Sequence, residues 1–152
     1  MHVSLHPATK KDMLQIWKWR QDPKVFSGLY TQSIENRSLS WEEHSKWWTK
    51  HSHWKRFIIR VDGVSVGWLY ISLLEYWSPE IGLGIGETSM WGKGIAKQAL
   101  LLALQYLRDN GYRYTHTTIL DANIRSQKLF ESCGYHKGER SRPGESWWFK
   151  DL

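Results

Sequence analysis

GETSMWGKGIAKQAL, Gly86 to Leu100, runs from a glycine-broken polar stretch into an alanine- and leucine-rich segment. Glycines ahead of a helix start point to an anion, because first-turn N–H groups lack an intrahelical acceptor and the positive end of the helix dipole faces the same spot. Two common phosphate-binding patterns fail here. A P-loop needs four residues between its first Gly and the Gly-Lys pair, whereas Gly86 and Gly92 have five between them and Gly94 follows Lys93 where Ser or Thr is required. A dinucleotide fingerprint needs a third small residue three places after its second glycine, where this chain has Lys97, and the strand before Gly92-Lys93-Gly94 opens no βαβ unit.

Working outward from the loop, the preceding EIGLGIG, from Glu80, reads as a strand thinned by Gly82, Gly84 and Gly86, which would let another molecule's backbone approach closely. Before it, FIIRVDGVSVGWLYISL sets Asp62-Gly63 between two β-rich runs, a hairpin signal. The N-terminal HVSLHPAT alternates as an edge strand ended by Pro7. Thr9 caps a helix over Lys10 to Gln21, with Met13, Leu14, Ile16, Trp17 and Arg20 on one face. A polar loop over Ser27 to Ser38 leads to Ser40 and Glu43, spaced as a capping box for a helix from Trp41 to His51. After the loop come a helix from Lys93 to about Arg108, with Ile95, Ala99, Leu102 and Tyr106 as its stripe, and a strand over Tyr112 to Leu120. A shorter helix capped by Asp121 or Asn123 reaches Cys133, and strands follow around Tyr135 to Gly138 and Trp147 to Lys150. The order β-α-α-β-β-β-α-β-α-β-β predicts an α/β fold with a largely antiparallel central sheet. At 152 residues, with no repeat or linker, the chain reads as one domain, 1–152.

Trp91-Gly92-Lys93-Gly94-Ile95-Ala96 resembles the acyl-CoA pyrophosphate loop of the GNAT N-acetyltransferase superfamily, written Arg/Gln-x-x-Gly-x-Gly/Ala. Gly94 and Ala96 hold its small positions, and Trp91 stands at its first, as in the WGKG form of ribosomal-protein and nucleotide-sugar acetyltransferases. Beginning 27 positions after Ala96, Asn123-Ile124-Arg125-Ser126 followed by Phe130, Glu131 and Gly134-Tyr135 resembles the superfamily's second motif. The resemblance spans nearly the whole chain. It implies a GNAT-like mixed sheet flanked by helices and splayed at an acetyl-CoA site, and transfer of acetyl from acetyl-CoA to a primary amine.

For individual residues, the resemblance implies backbone contacts from Leu83, Gly84 and Ile85 to the pantetheine arm, with a backbone N–H of this same stretch as the oxyanion donor. Trp91, Gly92, Lys93, Gly94, Ile95, Ala96 and Lys97 would take the pyrophosphate, with Asn123, Ser126, Lys128 and Phe130 beside the cofactor. Asn123 reads equally as a plain helix cap. A protonated amine is no nucleophile, so a base is needed. Glu80 matches a position where superfamily members carry a catalytic glutamate; Glu75, His116 and Asp121 are reserves. Where many members place a tyrosine acid the chain has Phe130, which has no proton to give, leaving Ser126, Tyr135 or water to substitute, or the thiolate to leave unassisted.

Charge is unevenly spread. Residues 1–60 carry 11 Lys and Arg against 5 Asp and Glu, and residues 61–152 carry 10 against 10, so the whole net charge of +6 lies in the first part. Of 11 tryptophans, six (Trp17, Trp19, Trp41, Trp47, Trp48 and Trp54) share that segment. Trp19-Arg20-Gln21-Asp22-Pro23 followed by Ser40-Trp41-Glu42-Glu43-His44 is similar to the WRN-D-P … LEEH layout of acetyltransferases for nucleotide-linked 4-amino sugars, with Gln21 in place of Asn; ribosomal-protein acetyltransferases share the layout. An anionic acceptor would meet Arg20, Lys24 and Arg37 while Trp19 or Trp41 stacks on it. Alternatives are a protein N-terminal acetyltransferase of the ribosomal-protein type, a non-catalytic acyl-CoA-binding module, which Phe130 would fit, and a nucleic-acid binder, which leaves both motifs unexplained. An oligomer is compatible with any of these. His51-x-His53 lacks a third ligand at sensible spacing, so no metal is expected. One cysteine, Cys133, and the lack of a signal or membrane-length apolar run predict a soluble protein of the reducing cytoplasm.

Overall fold

Asp62 and Gly63 take positive φ of 49° and 83°, the turn geometry that suits the twist of a two-residue hairpin. In this computed structural model, which describes residues 1–29 and 35–152, they join β2 (Lys55–Val61) to β3 (Val64–Ser72). Strand β1 (Val3–Pro7) pairs antiparallel with β2, and β4 (Glu80–Ile85) antiparallel with β3. Strands β5 (Tyr114–Leu120), β6 (His136–Arg142) and β7 (Glu145–Asp151) complete a seven-stranded sheet in the order β1-β2-β3-β4-β5-β7-β6. This is the mixed, mostly antiparallel sheet predicted.

Strands β4 and β5 run parallel and touch through a single register pair, Glu80 with His116. Two hydroxyls extend that seam on β5: Thr115 Oγ1 donates to the Pro79 carbonyl (2.8 Å) and Thr117 Oγ1 to the Ile81 carbonyl (2.9 Å). Beyond Ile81 the strands part. Backbone groups alternate sides along a strand, so the N–H and C=O of Leu83 and the N–H of Ile85 turn toward the opening.

Helix α1 (Lys10–Trp19) starts with the Asp12 carboxylate accepting from the Thr9 backbone N–H (2.7 Å), and buries Ile16 and Trp19. Asp22 caps a short helix that the sequence reading left out, α2 (Pro23–Phe26). Helix α3 (Trp41–Lys50) has the expected capping box of Ser40 and Glu43. Part of the polar loop expected over Ser27 to Ser38, residues 30–34, lies outside the described residues. Helix α4 (Ile95–Asp109) buries Ile95, Ala99, Leu100, Ala103, Leu104 and Leu107 against β1 and β4. Its apolar stripe is thus rotated from the one predicted, and Leu102 is exposed. Helix α5 (Ile124–Ser132) is capped by Asn123, whose side chain accepts from the Ser126 N–H (3.1 Å). No helix among the described residues is long and apolar enough to cross a membrane.

The glycines of β4 serve a different purpose from the one expected. A Cβ at Gly82 would lie 2.6 Å from the Tyr70 ring, one at Gly84 2.5 Å from Trp68, and one at Gly86 would overlap Trp19. They make room for aromatic rings of the chain itself.

Candidate active site

Two cavities open on the wedge between β4 and β5. The larger, about 1020 Å³, is lined by Leu83, Gly84 and Ile85 of β4, the loop Met90 to Gly92, Gly94 to Lys97, and Asn123, Arg125, Ser126 and Leu129 of α5 and its cap. Gly92 and Gly94 both have φ of +77°, and nothing lies within 4 Å of a Cβ built on either. Gly94 caps α4 without a side-chain hydrogen bond, so the first-turn N–H groups of a 15-residue helix face this cavity with no side-chain cap. Such a cradle fits a pyrophosphate.

Trp91 links the loop to both the strand before it and the helix beyond the wedge. Its Nε1–H donates to the Ile85 carbonyl (2.8 Å), tying the loop to the end of β4, and the Arg125 guanidinium lies 4.1 Å above its ring. That stacking brings a cation to the cavity wall. Arg125 was missed in the sequence reading, although its place two residues after Asn123 in the second motif was a signal for it. Lys93 and Lys128 line neither cavity. Lys128 is exposed for a simple reason: Ser126, Leu129 and Phe130 lie on the inner face of α5, and position 128 falls on the other side. Its expected contact with the cofactor is thereby corrected.

The second cavity, about 560 Å³, shares Gly28, Leu29, Trp68, Leu83, Leu120, Asn123 and Ser126 with the first. Its charged lining is Arg20, Glu43, Glu80, Arg142 and Glu145, with the Trp47 and Tyr70 rings beside them. Glu80 Oε2 lies 3.2 Å from His116 Nε2, and the Glu80 side chain is 36% exposed. Arg20 stands 4.8 Å over the Trp47 ring; burial lowers its pKa from the usual value, partly opposed by Tyr70. Phe130, packed edge-on against Tyr135, also lines this cavity. Tyr135 lines neither cavity and is 1% exposed, and burial pushes its hydroxyl pKa well up, which removes it as the acid.

The expected acceptor residues scatter. Arg20 lines the smaller cavity; Lys24 lines the larger one instead. Trp19 is core: it stacks on Trp68 and donates Nε1–H to Glu87 (2.8 Å). Trp41 is exposed on α3, edge-on to Trp17, and lines neither cavity. Arg37 forms a two-pronged bond to Glu43 (2.8 Å each) and an ion pair with Glu35, which raises its pKa and holds that of Glu43 down to about 2. Its charge is directed at the cap of α3. Of the reserve bases, Glu75 is exposed outside both cavities, Asp121 accepts from Ser146, and His116 touches Glu80. Trp47, Tyr70, Arg142 and Glu145 were missed, for want of any local signal linking distant strands.

Residues 2–136 match the acetyltransferase (GNAT) domain family. The chain belongs to the GNAT acetyltransferases. It is 35% identical over 153 residues to an uncharacterised protein of Methanocaldococcus jannaschii, and spans about 30% of that relative's length. A solved domain from Methanocaldococcus jannaschii, also 35% identical, superposes with a TM-score of 0.91 over 99% of each chain. GNAT structures with lower identity share the fold. An aminoglycoside acetyltransferase in complex with coenzyme A has a TM-score of 0.84 at 14% identity, covering 99% of this chain and 95% of its own. The spermidine N-acetyltransferase of Vibrio cholerae, in complex with CoA and spermine, has 0.82 at 17% identity, covering 98% and 95%.

Proposed function

We propose that the protein, acting as one domain over 1–152, transfers acetyl from acetyl-CoA to a primary amine, with Glu80 as the base and a nucleotide-linked amino sugar as the acceptor. One observation carries the reading: a cavity ending at a helix N-terminus without a side-chain cap meets, through shared Leu83, Asn123 and Ser126, a second cavity that holds a carboxylate. The larger cavity takes the donor. Amides of Gly92 and of Gly94 to Lys97 hold the pyrophosphate, Trp91 and Arg125 flank it, and the β4 edge at Leu83 and Ile85 bonds the pantetheine arm. When bound, acetyl-CoA supplies an activated thioester. Glu80 takes a proton from the acceptor ammonium, freeing the nitrogen lone pair. N–H groups of Leu83 or Ile85, turned to the wedge, steady the oxyanion. Ser126, lining both cavities, is the side chain of this chain placed to assist the leaving thiolate. A reducing compartment such as the cytoplasm suits the buried, unpaired Cys133.

Support for the anionic acceptor comes from Arg20 in the smaller cavity, with Trp47 and Tyr70 available to stack on a sugar or base. A different acceptor has its own support: Glu43, Glu80 and Glu145 outnumber Arg20 and Arg142 in that lining, and the aminoglycoside and spermidine enzymes above act on cationic amines. Stabilisation by acetyl-CoA in a thermal-shift assay, followed by thiol release with a nucleotide-linked amino sugar, kanamycin, spermine and a peptide N-terminus, tests both. Turnover on the sugar alone is expected. Turnover on spermine or kanamycin alone would transfer the assignment to cationic acceptors, and cofactor binding without turnover on any amine would reduce the protein to a binding module.

A further inference from the structure

Ser78 and His116 have no part in the transfer chemistry above, yet they hold its base. The Pro79 carbonyl accepts from the His116 backbone N–H (3.0 Å) and from Thr115 Oγ1 (2.8 Å), which pins β5 to the head of β4. From that anchor the His116 ring spans the residues on either side of Pro79. Its Nδ1 lies 3.0 Å from Ser78 Oγ and its Nε2 3.2 Å from Glu80 Oε2, while Phe149 packs against the ring with centroids 6.2 Å apart. Ser78 is buried at 7% exposure, and the imidazole keeps a 16% exposed edge.

The choice of a hydroxyl behind the ring is informative. A carbonyl facing Nδ1 would only accept, fixing one tautomer of the ring. Ser78 can donate to a bare Nδ1 or accept from Nδ1–H, so its bond survives a change of tautomer, whereas Nε2 must carry the hydrogen to bond an ionised Glu80 and be bare to accept from a protonated one. The ring can therefore follow the protonation state of Glu80 without Ser78 being left unpaired in a partly buried site. Other titratable or charged groups that the strand register places on this face are Tyr114 on β5, Asp151 and Glu145 on β7, and His136 and Arg142 on β6.

We propose that His116 is a positioning and relay residue behind Glu80, a role that rests on the acetyl-transfer reading. The acceptor ammonium loses a proton to Glu80, its electron pair staying on nitrogen. In the tautomer with Nδ1–H donated to Ser78, Nε2 then takes that proton from the Glu80 carboxyl, restoring the carboxylate and leaving an imidazolium. Water reaching Nε2 beside the partly exposed Glu80 removes that proton, which restores the starting tautomer. Water is the only co-reactant, and no electrons are transferred.

The test compares wild type, His116→Gln, Ser78→Ala and Glu80→Gln by thiol release across pH 6.5–9.5, approximate bounds chosen to bracket the ionisation of an amine, with whichever acceptor of the panel turns over. His116→Gln is expected to lose about tenfold in kcat near neutrality, less than the roughly 100- to 10,000-fold that a group in direct acid–base contact supplies, because Glu80 itself remains, with KM for acetyl-CoA unchanged. That deficit should narrow as rising pH deprotonates the amine itself. A deficit constant across pH would assign His116 a merely structural role and overturn the relay. If Glu80→Gln is impaired but His116→Gln is not, the relay alone falls; if Glu80→Gln matches wild type, the base assignment falls with it. Ring ¹⁵N NMR gives an answer independent of turnover. Both His116 nitrogens should shift in Glu80→Gln and Nδ1 in Ser78→Ala, and unchanged shifts would overturn the hydrogen-bonded chain.

Discussion

Trp91 shows how one side chain can replace a motif residue by doing a different job. An Arg or Gln at the head of the loop offers several polar donors; the indole offers one, and spends it on the Ile85 carbonyl (2.8 Å). Trp91→Ala removes that tether and the surface on which Arg125 lies, so acetyl-CoA affinity measured by calorimetry should fall by about tenfold, equivalent to the loss of roughly one buried hydrogen bond. His44 poses a stability question. It is fully buried, with Nε2 2.9 Å from the Met13 carbonyl and Nδ1 without a hydrogen-bond partner among the described residues, and burial, aided by nearby Arg20, lowers its pKa to about 4. The folded pKa is below the unfolded one, so this contribution is fully present above about pH 6.5 and is lost as pH falls toward 4. The loss would reach about 3 kcal/mol over that interval. Urea midpoints should drop between pH 7.5 and 5 in wild type, and His44→Leu should flatten the part of that slope that His44 supplies.

At the scale of elements, β3 and β4 meet at a point where a glycine faces a carbonyl. A Cβ at Gly67 would collide with the Gly84 carbonyl oxygen, a backbone atom that can move only if the two strands part. Gly67→Ala should therefore cost about 1–3 kcal/mol, as overpacking does, read as a lower urea midpoint with unchanged slope. The same strand shows what could be read in advance. The loop, the Asn123 cap, the Ser40–Glu43 box and the Asp62-Gly63 turn rest on residues a few positions apart, so their spacing is informative. Trp19, Arg37 and the β4 glycines depend on what another element brings: Trp68 and Glu87 claim the first, Glu43 the second, and three aromatic rings the third. Lys128 failed differently, because motif order was followed without the helical phase that turns it outward.

Across the whole molecule, the sheet is two sheets in a row. Strands β1 to β4 come from residues 3–85 and β5 to β7 from residues 114–151, and the single pair Glu80 with His116 joins them. The donor cavity draws on both: the loop and β4 from one part, Asn123, Arg125 and Ser126 from the other. The exposed Asn110-Gly111 turn lies between them, with Gly111 at φ of +84° and open space around it. Each part of the chain therefore keeps to its own side of the sheet, and the polypeptide can be treated as two pieces sharing one scissor joint. Cut there, fragments 1–110 and 111–152 should reassemble when expressed together and co-purify with restored acetyl-CoA binding. The short fragment alone, too small to bury Phe130, Tyr135 and Trp148, should show no cooperative unfolding by circular dichroism. Failure of the pair to associate would mean that the covalent crossing at the turn, rather than the packing across the wedge, keeps the two blades aligned.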